Sequence, residues 1–424
     1  MPFFDKSKFS DRANRLESAA IHRTKAVIAE RKARGLESYN FVTGAVEFSM
    51  PEALQQRSDE VLHKAVLGDF GAVGGQADTI DAILAKFERE NGIKGSRNQV
   101  IVCNGGKEVL SQAVEVLVNK GDEVVVFAPF WPSYESFIKR EGGTPVFVQP
   151  DPESMKVTPE KLAAAITDKT KVVIINNPQN PGGAVYTKEE LEAFAKVIEP
   201  TKAAVIADEC FELFNYSGHT LTSFATLPGM AERSFTVNGI GKSYGKPGLR
   251  IGYGIGPEEL VKTMRDLQSS GATHANVLGQ VATAFLLNEV GQTHVPELDS
   301  FVKKNRDIMI SGLKAIPQIK VHTPDSNYFA FPDVSGCFGM RTPTGKTLKT
   351  SQDVCDFMLD NGIVALDGKY CGMDGHIRMA FTLQPEQIEA GMQAMQAAFK
   401  TLVRVPGAQT ELNTPSRAVE GASR

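Results

Sequence analysis

The 424-residue chain is 42% hydrophobic and 23% charged, an ordinary globular composition with length for more than one domain. With 46 Lys and Arg against 50 Asp and Glu, the net charge of −4 makes no electrostatic case for nucleic acid or an anionic membrane as partner. Cysteines 103, 210, 337, 355 and 371 are scattered, odd in number and without a CxxC pair. They read as free thiols of a reducing, cytoplasmic protein, not as a disulfide frame, and no metal site is expected. The first residues lack a signal-peptide core, and no apolar run reaches the roughly 18 residues of a membrane span.

In chain order, residues 10–35 read as one helix, capped by Ser10 or Asp11 and ended by Gly35. Residues 39–51 form a short strand that breaks into a loop marked by Gly44 and Pro51. A helix runs to about residue 66, a Gly-rich stretch over 68–75 is mobile by composition, and an amphipathic helix covers 79–90. From residue 99 a βα rhythm begins. Apolar strands are expected at 100–103, 123–127, 144–148, 171–175, 203–207 and 234–237, with an alternating strand at 249–254. A helix covers 107–118, and Thr187 with Glu190 opens another as a capping box.

Such near-continuous apolar strands belong to a mostly parallel sheet covered on both faces. Sites in these sheets form at the strands' carboxyl ends, where Asn104, Trp131, Asn180 and Asp208 fall. A helical stretch over 257–315, broken at Gly291, leads to short strands at 328–331, 363–366 and 376–381 and a helix near 351–361. A final helix over 385–403 completes a smaller α+β domain. Residues 405–424 are small and polar and read as a disordered tail.

The candidate chemistry gathers around residues 238–254, where one Lys sits among glycines and one Arg follows eight positions later. Small neighbours leave the Lys242 amine open to a flat ligand, although a solvated surface lysine is the commoner meaning of such a pattern. Asn104-Gly-Gly-Lys107 lies between a strand and a helix, so its amides suit a phosphate. A dinucleotide fold competes for that turn, but no GxGxxG followed by an acidic strand end is present. Arg250 offers the phosphate a charged fork, or makes a surface ion pair. Asp208 ends an apolar strand, where it either faces a protonated ring nitrogen or caps a helix. Trp131 stacks on a heterocycle or packs. Asn180, between two prolines, contacts a ligand oxygen or closes an Asx turn.

In order and spacing, Asn104-Gly-Gly-Lys107, Pro129-Phe-Trp131, Asn177-Pro-Gln-Asn-Pro-Gly-Gly183, Asp208-Glu209, Gly239-Ile-Gly-Lys242 with Arg250, and His376-Ile-Arg378 run together. On these motifs the chain resembles the class I/II, fold-type I pyridoxal-phosphate aminotransferases, most closely the bacterial aspartate aminotransferase-like branch. The resemblance spans residues 10–403. It implies a three-layer α/β/α large domain with a mostly parallel seven-stranded sheet over 46–300 and a small α+β domain over 301–404. Residues 1–45 would form an N-terminal helix and arm packed on the small domain.

The resemblance also implies a homodimer with active sites at the interface, and pyridoxal 5'-phosphate as cofactor. Lys242 is the expected Schiff-base and proton-carrying residue. Gly105, Gly106, Lys107 and Arg250 would surround the phosphate, with Gly239 beside the cofactor. Trp131 would stack on the ring, Asn180 contact its hydroxyl, and Asp208 keep its nitrogen protonated. Arg378 would clamp the substrate α-carboxylate, with Asn180 and the loop at Gly44 completing the substrate site. Lys107 has a second implied role, facing the distal carboxylate of an acidic amino donor.

The sequence departs from the family at several points. Phe211, at a cofactor-facing position, replaces the usual Tyr. Phe70 stands where a Tyr often reaches the neighbouring subunit. Gly182 replaces a Thr, Lys246 is an unusual polar residue in its segment, and Asp367-Gly368 replaces Pro-Gly. The expected activity is amino-group transfer between an amino acid, with an acidic one as a candidate, and a 2-oxo acid. Phe211 keeps elimination, replacement, decarboxylation and oxidation on the same scaffold as alternatives, and a non-catalytic binding protein is a third reading.

Overall fold

The computed structural model describes residues 6–15, 21–46, 48–49, 51–63 and 70–404. The tail at 405–424, and residues 64–69 with the end of the third helix and the start of the Gly-rich stretch, lie outside the described residues.

Strand β1 is Tyr39–Asn40. The strands that follow are β2 (Val100–Cys103), β3 (Glu123–Phe127), β4 (Thr144–Val148), β5 (Thr170–Asn176), β6 (Ala204–Asp208), β7 (Ser234–Gly239) and β8 (Gly252–Ile255). These seven form one sheet in the order β2-β8-β7-β6-β5-β3-β4. All neighbours are parallel except β8, which runs against both β2 and β7. Val, Ile and Ala dominate the central strands because both faces are buried. Helices Gly106–Leu117, Ser133–Glu141 and Glu258–Ser270 pack on one face, and helices Pro159–Ala165 and Lys188–Ile198 on the other. The last of these begins with the expected capping box, in which Thr187 and Glu190 satisfy each other's backbone amides.

A second core gathers around the short strands β9 (Phe329–Ala330), β10 (Met340–Arg341), β11 (Ile363–Val364), β12 (Leu366–Asp367), β13 (Ile377–Ala380) and β14 (Val403–Arg404). Strands β12, β13 and β9 form an antiparallel sheet, and β1 joins β11 in parallel. The chain is an α/β protein with a mostly parallel central sheet, as its sequence led one to expect. At the N-terminus, Arg12 pairs with Glu141 of the helix Ser133–Glu141, whereas Arg31 donates to the Asp360 carbonyl beside β11.

Four local expectations change. The single helix over 10–35 is seen as two segments, Asp11–Asn14 and Ile21–Ala33, on either side of undescribed residues. The helical stretch after residue 257 breaks at 271–276, not at Gly291. Gly271 leaves the helical region and the Asn276 side chain caps the next helix, while Gly291 stays helical. The final helix ends at Phe399, because β14 leaves it to pair with β10. Residues 249–251 are not a strand: Pro247–Leu249 form a 3-10 turn, Arg250 takes a left-handed φ of 55°, and β8 begins at Gly252. The guanidinium holds this turn by donating to the carbonyls of Pro247 and Asn104.

Candidate active site

The parallel strands end on one edge of the sheet, and a cavity of about 290 Å3 opens there. Every residue assigned to a site from the sequence lines it: Gly44, Gly105, Gly106, Lys107, Trp131, Asn180, Asp208, Phe211, Gly239, Lys242, Arg250 and Arg378.

One wall is a turn built for close approach. Gly105 has a φ of 99°, and a Cβ there would lie 2.4 Å from the Arg250 guanidinium. A Cβ on Gly252 would lie 2.0 Å from the Gly106 nitrogen, so β8 presses its backbone directly against the turn. The helix Gly106–Leu117 then starts at the cavity, with the first amides of a helix and their partial positive charge turned toward it.

Asp208 ends β6. One of its oxygens accepts the Tyr134 hydroxyl and the other the Cys210 amide at 3.1 Å. Burial pushes the carboxyl above its ordinary range, against the hydrogen bonds from Tyr134 and Cys210 and the charge of Lys242. A carboxylate so placed gains from a cationic partner. Asn180 sits in a turn fixed from several sides: its amide donates to the Asn176 side chain at 2.7 Å, and Asn327 donates to the neighbouring Gln179 carbonyl at 2.6 Å. Among the described residues its own Oδ1 is buried without a partner. Trp131 packs edge-on against Tyr134 and Phe137 while lining the cavity, and the Lys107 ammonium lies 5.6 Å from its ring centre.

Arg378 comes from β13 of the small sheet. Its guanidinium lies 4.6 Å from the Phe329 ring centre, and its Nε is buried without a partner among the described residues. Burial pulls this group's pKa down, the cost of a cation lacking its anion. The residue is thus prepared for a carboxylate, which it can grip through two parallel N–H bonds.

The half-buried Lys242 follows β7 and donates to the Gly44 carbonyl at 3.0 Å. Phe211 and Tyr328 flank it, with ring centres 5.9 and 5.6 Å from Nζ. Sequence reasoning missed Tyr328, Tyr134 and Cys210. Tyr134 had a legible signal, three residues beyond Trp131 on the helix that leaves the same strand end. Tyr328 had none, since long-range packing delivers it. Among the described residues no group of three His, Cys, Asp or Glu side chains is arranged to hold a metal, and no helix is long and apolar enough to cross a membrane.

This mostly parallel sheet, covered by helices on both faces, is that of the fold-type I aminotransferases. The chain belongs to the class I and II aminotransferases, which it matches over residues 35–395, and is a transferase enzyme. It is 31% identical to the aspartate aminotransferase of Rhizobium meliloti (strain 1021) over 359 residues, 84% of this chain and 87% of that one. To the probable aspartate/prephenate aminotransferase of Rickettsia felis it is 33% identical over 384 residues, 89% of this chain and 93% of the relative. The Rhizobium meliloti aspartate aminotransferase crystal structure superposes with a TM-score of 0.89 at 30% identity, covering 93% of this chain and all of that one. The Thermus thermophilus aspartate aminotransferase with maleate superposes with a TM-score of 0.85 at 27% identity, covering 92% and 99%. Fold-type I aminotransferases use pyridoxal phosphate.

Proposed function

We propose that the cavity holds pyridoxal 5'-phosphate and that the protein moves the amino group of a dicarboxylic amino acid to a 2-oxo acid. The observation that carries this reading is the polar lining: a buried carboxylate shares one cavity with Lys242, an amide oxygen and a guanidinium Nε that have no partner among the described residues. Each matches a part of the cofactor or substrate. Gly105, Gly106 and Arg250 hold the phosphate beside Gly239, Trp131 and Phe211 border the ring, Asn180 meets its hydroxyl, and Asp208 keeps its nitrogen protonated. When bound, the cofactor offers an aldehyde that links to amines and a ring that withdraws electrons from the amino acid's α-carbon.

The chain's own residues do the rest. Arg378 fixes the α-carboxylate, which orients the substrate's α-hydrogen toward Lys242. Lys242 Nζ would hold the cofactor and is the base that would take and return the substrate's α-proton. Gly44, whose carbonyl already engages Lys242, borders the substrate. Lys107 gives the cavity a second cation besides Arg378 for a distal carboxylate. Maleate, named with the Thermus relative, is itself a dicarboxylate. The relatives give no support to the elimination, replacement, decarboxylation or oxidation readings.

We also propose a cytoplasmic homodimer with sites at the interface. Phe70 is 90% exposed, a large apolar side chain left for a second copy to cover. The substrate assignment is tested with Lys107→Ala. It lowers kcat/KM for aspartate and glutamate about tenfold to a hundredfold, the worth of one charged hydrogen bond. Neutral donors are unaffected. An equal loss for both classes, with weaker cofactor binding, would place Lys107 at the phosphate instead.

A further inference from the structure

The sequence points to a phenylalanine, Phe211, at a position facing the reactive lysine. The structure places a different aromatic side chain, with a hydroxyl, within reach of the same amine. Tyr328 is fully buried, and its ring meets Phe211 nearly edge-on, 5.0 Å between centres. Its hydroxyl donates to the Gly44 carbonyl at 2.7 Å, the oxygen that also accepts from Lys242 at 3.0 Å. The Tyr328 ring centre lies 5.6 Å from the same amine. The two donors share one acceptor, so the Tyr328 hydroxyl fixes the carbonyl on which the amine rests.

The aim of this hydroxyl is built into the backbone. Asn327 takes a left-handed φ of 60°, which an asparagine tolerates better than most residues. Its side chain bonds the Gln179 carbonyl at 2.6 Å and the Phe329 amide at 2.5 Å, and its amide bonds the Phe214 carbonyl at 3.2 Å. Tyr216 secures the Asn327 carbonyl at 3.1 Å from outside the cavity. A non-glycine residue is thus held in an uncommon conformation just before the tyrosine. The turn carrying Asn180 and the segment carrying Tyr328 are tied into one unit.

We propose that Tyr328 is a positioning residue of Lys242, its hydroxyl fixing the Gly44 carbonyl that holds the amine. The proposal rests on the assignment of Lys242 as the cofactor-binding amine. The other charged or titratable groups facing Lys242 are Asp208 and Cys210 from the end of β6, Arg250 from the turn before β8, Arg378 from β13 and Lys107 from the helix Gly106–Leu117. None of these offers a neutral hydroxyl. Tyr328 therefore orients the amine without adding charge to it.

The test compares wild type, Tyr328→Phe and Tyr216→Phe, first without and then with pyridoxal 5'-phosphate. In the cofactor-free proteins, the labelling rate of Lys242 by an amine-reactive reagent at fixed pH is followed by peptide mass mapping. Losing the hydroxyl loosens the carbonyl that holds the amine, so Tyr328→Phe labels at least threefold faster, while Tyr216→Phe, which disturbs only the turn, labels at the wild-type rate. In the loaded proteins, the pH profile of the visible absorption band shifts by about half a unit or more in Tyr328→Phe alone, the scale of one hydrogen bond to a titrating group. Unchanged labelling and an unchanged pH profile in Tyr328→Phe, or equal changes in both variants, would overturn the proposal. A wild-type protein without a Lys242-linked band would instead overturn the cofactor assignment, and the cofactor-free labelling would still decide whether Tyr328 positions the amine.

Discussion

At the scale of residues, the site holds buried polar atoms that have no partner among the described residues. Arg378 shows this most clearly, being buried with Nε unpaired and its cationic form disfavoured by burial. Its planar fork, not only its charge, carries the proposed role. Arg378→Lys keeps the charge and loses the fork. It raises KM for the amino donor about tenfold to a hundredfold, roughly 1.5–3 kcal/mol for a hydrogen bond to a charged group, with kcat less affected. Steady-state kinetics with one donor and one acceptor measure this; an unchanged KM would remove Arg378 from substrate binding. The identities of Lys242, Asp208, Asn180 and Arg378 were legible because each is a polar residue in a context that does not favour it. Tyr328 was not, because one tyrosine in an aromatic stretch carries no mark of where its hydroxyl points. Only the Asn327 turn, through bonds to residues more than a hundred positions away, decides that.

At the scale of elements, the meeting of β8 with the turn after β2 makes the glycine-lined wall. The two strands pair antiparallel, with Cys103 opposite Gly252, which brings Gly252 against Gly105 and Gly106. A methyl group at Gly252 would enter space already filled by the Gly106 backbone. Gly252→Ala therefore displaces the turn. It lowers stability by about 1–3 kcal/mol, as overpacking does, and weakens binding of pyridoxal 5'-phosphate. A thermal melt and a cofactor titration by absorbance check the two effects, and an unchanged cofactor affinity would take this turn out of the phosphate site. The strands themselves were readable because apolar runs of 4–7 residues end in turn residues. Residues 249–251 were misread because Arg250 bends back to the Asn104 carbonyl, a contact that alternation cannot signal. Strand β14 was likewise hidden, since its partner β10 lies some sixty residues upstream.

At the scale of the whole molecule, a buried polar network lies beneath the catalytic edge. Lys86 is fully buried and bonds Glu212, and Asn91 donates to both Glu209 and Glu212. Burial raises the Glu209 carboxyl from 4.5 to about 7, the neighbouring Glu212 adding to it while Ser223, the Phe224 amide and Lys86 pull it back. A group whose folded pKa is raised favours the fold most below its unfolded value. That contribution is lost as pH rises through the folded one. The stability difference between wild type and Glu209→Gln is therefore more favourable to wild type at pH 5 than at pH 8. The change is on the order of 1–3 kcal/mol for a shift of this size. Melting both proteins across this range tests the sign, and a difference independent of pH would mean Glu209 titrates normally. Composition bounded the molecule to a globular protein, and the order of apolar strands and helices set its α/β sheet. This network was not legible, because Lys86 and Glu212 are far apart in sequence and neither is unusual in its own helix or turn.

The central claim is that Lys242 carries the cofactor. Wild-type protein with pyridoxal 5'-phosphate is reduced with borohydride, digested and mapped by mass. A visible band disappears on reduction, with the pyridoxyl mass fixed on the Lys242 peptide and absent from Lys242→Ala. A Lys242→Ala protein that kept the same reducible band, or a label fixed on another lysine of the wild type, would contradict it.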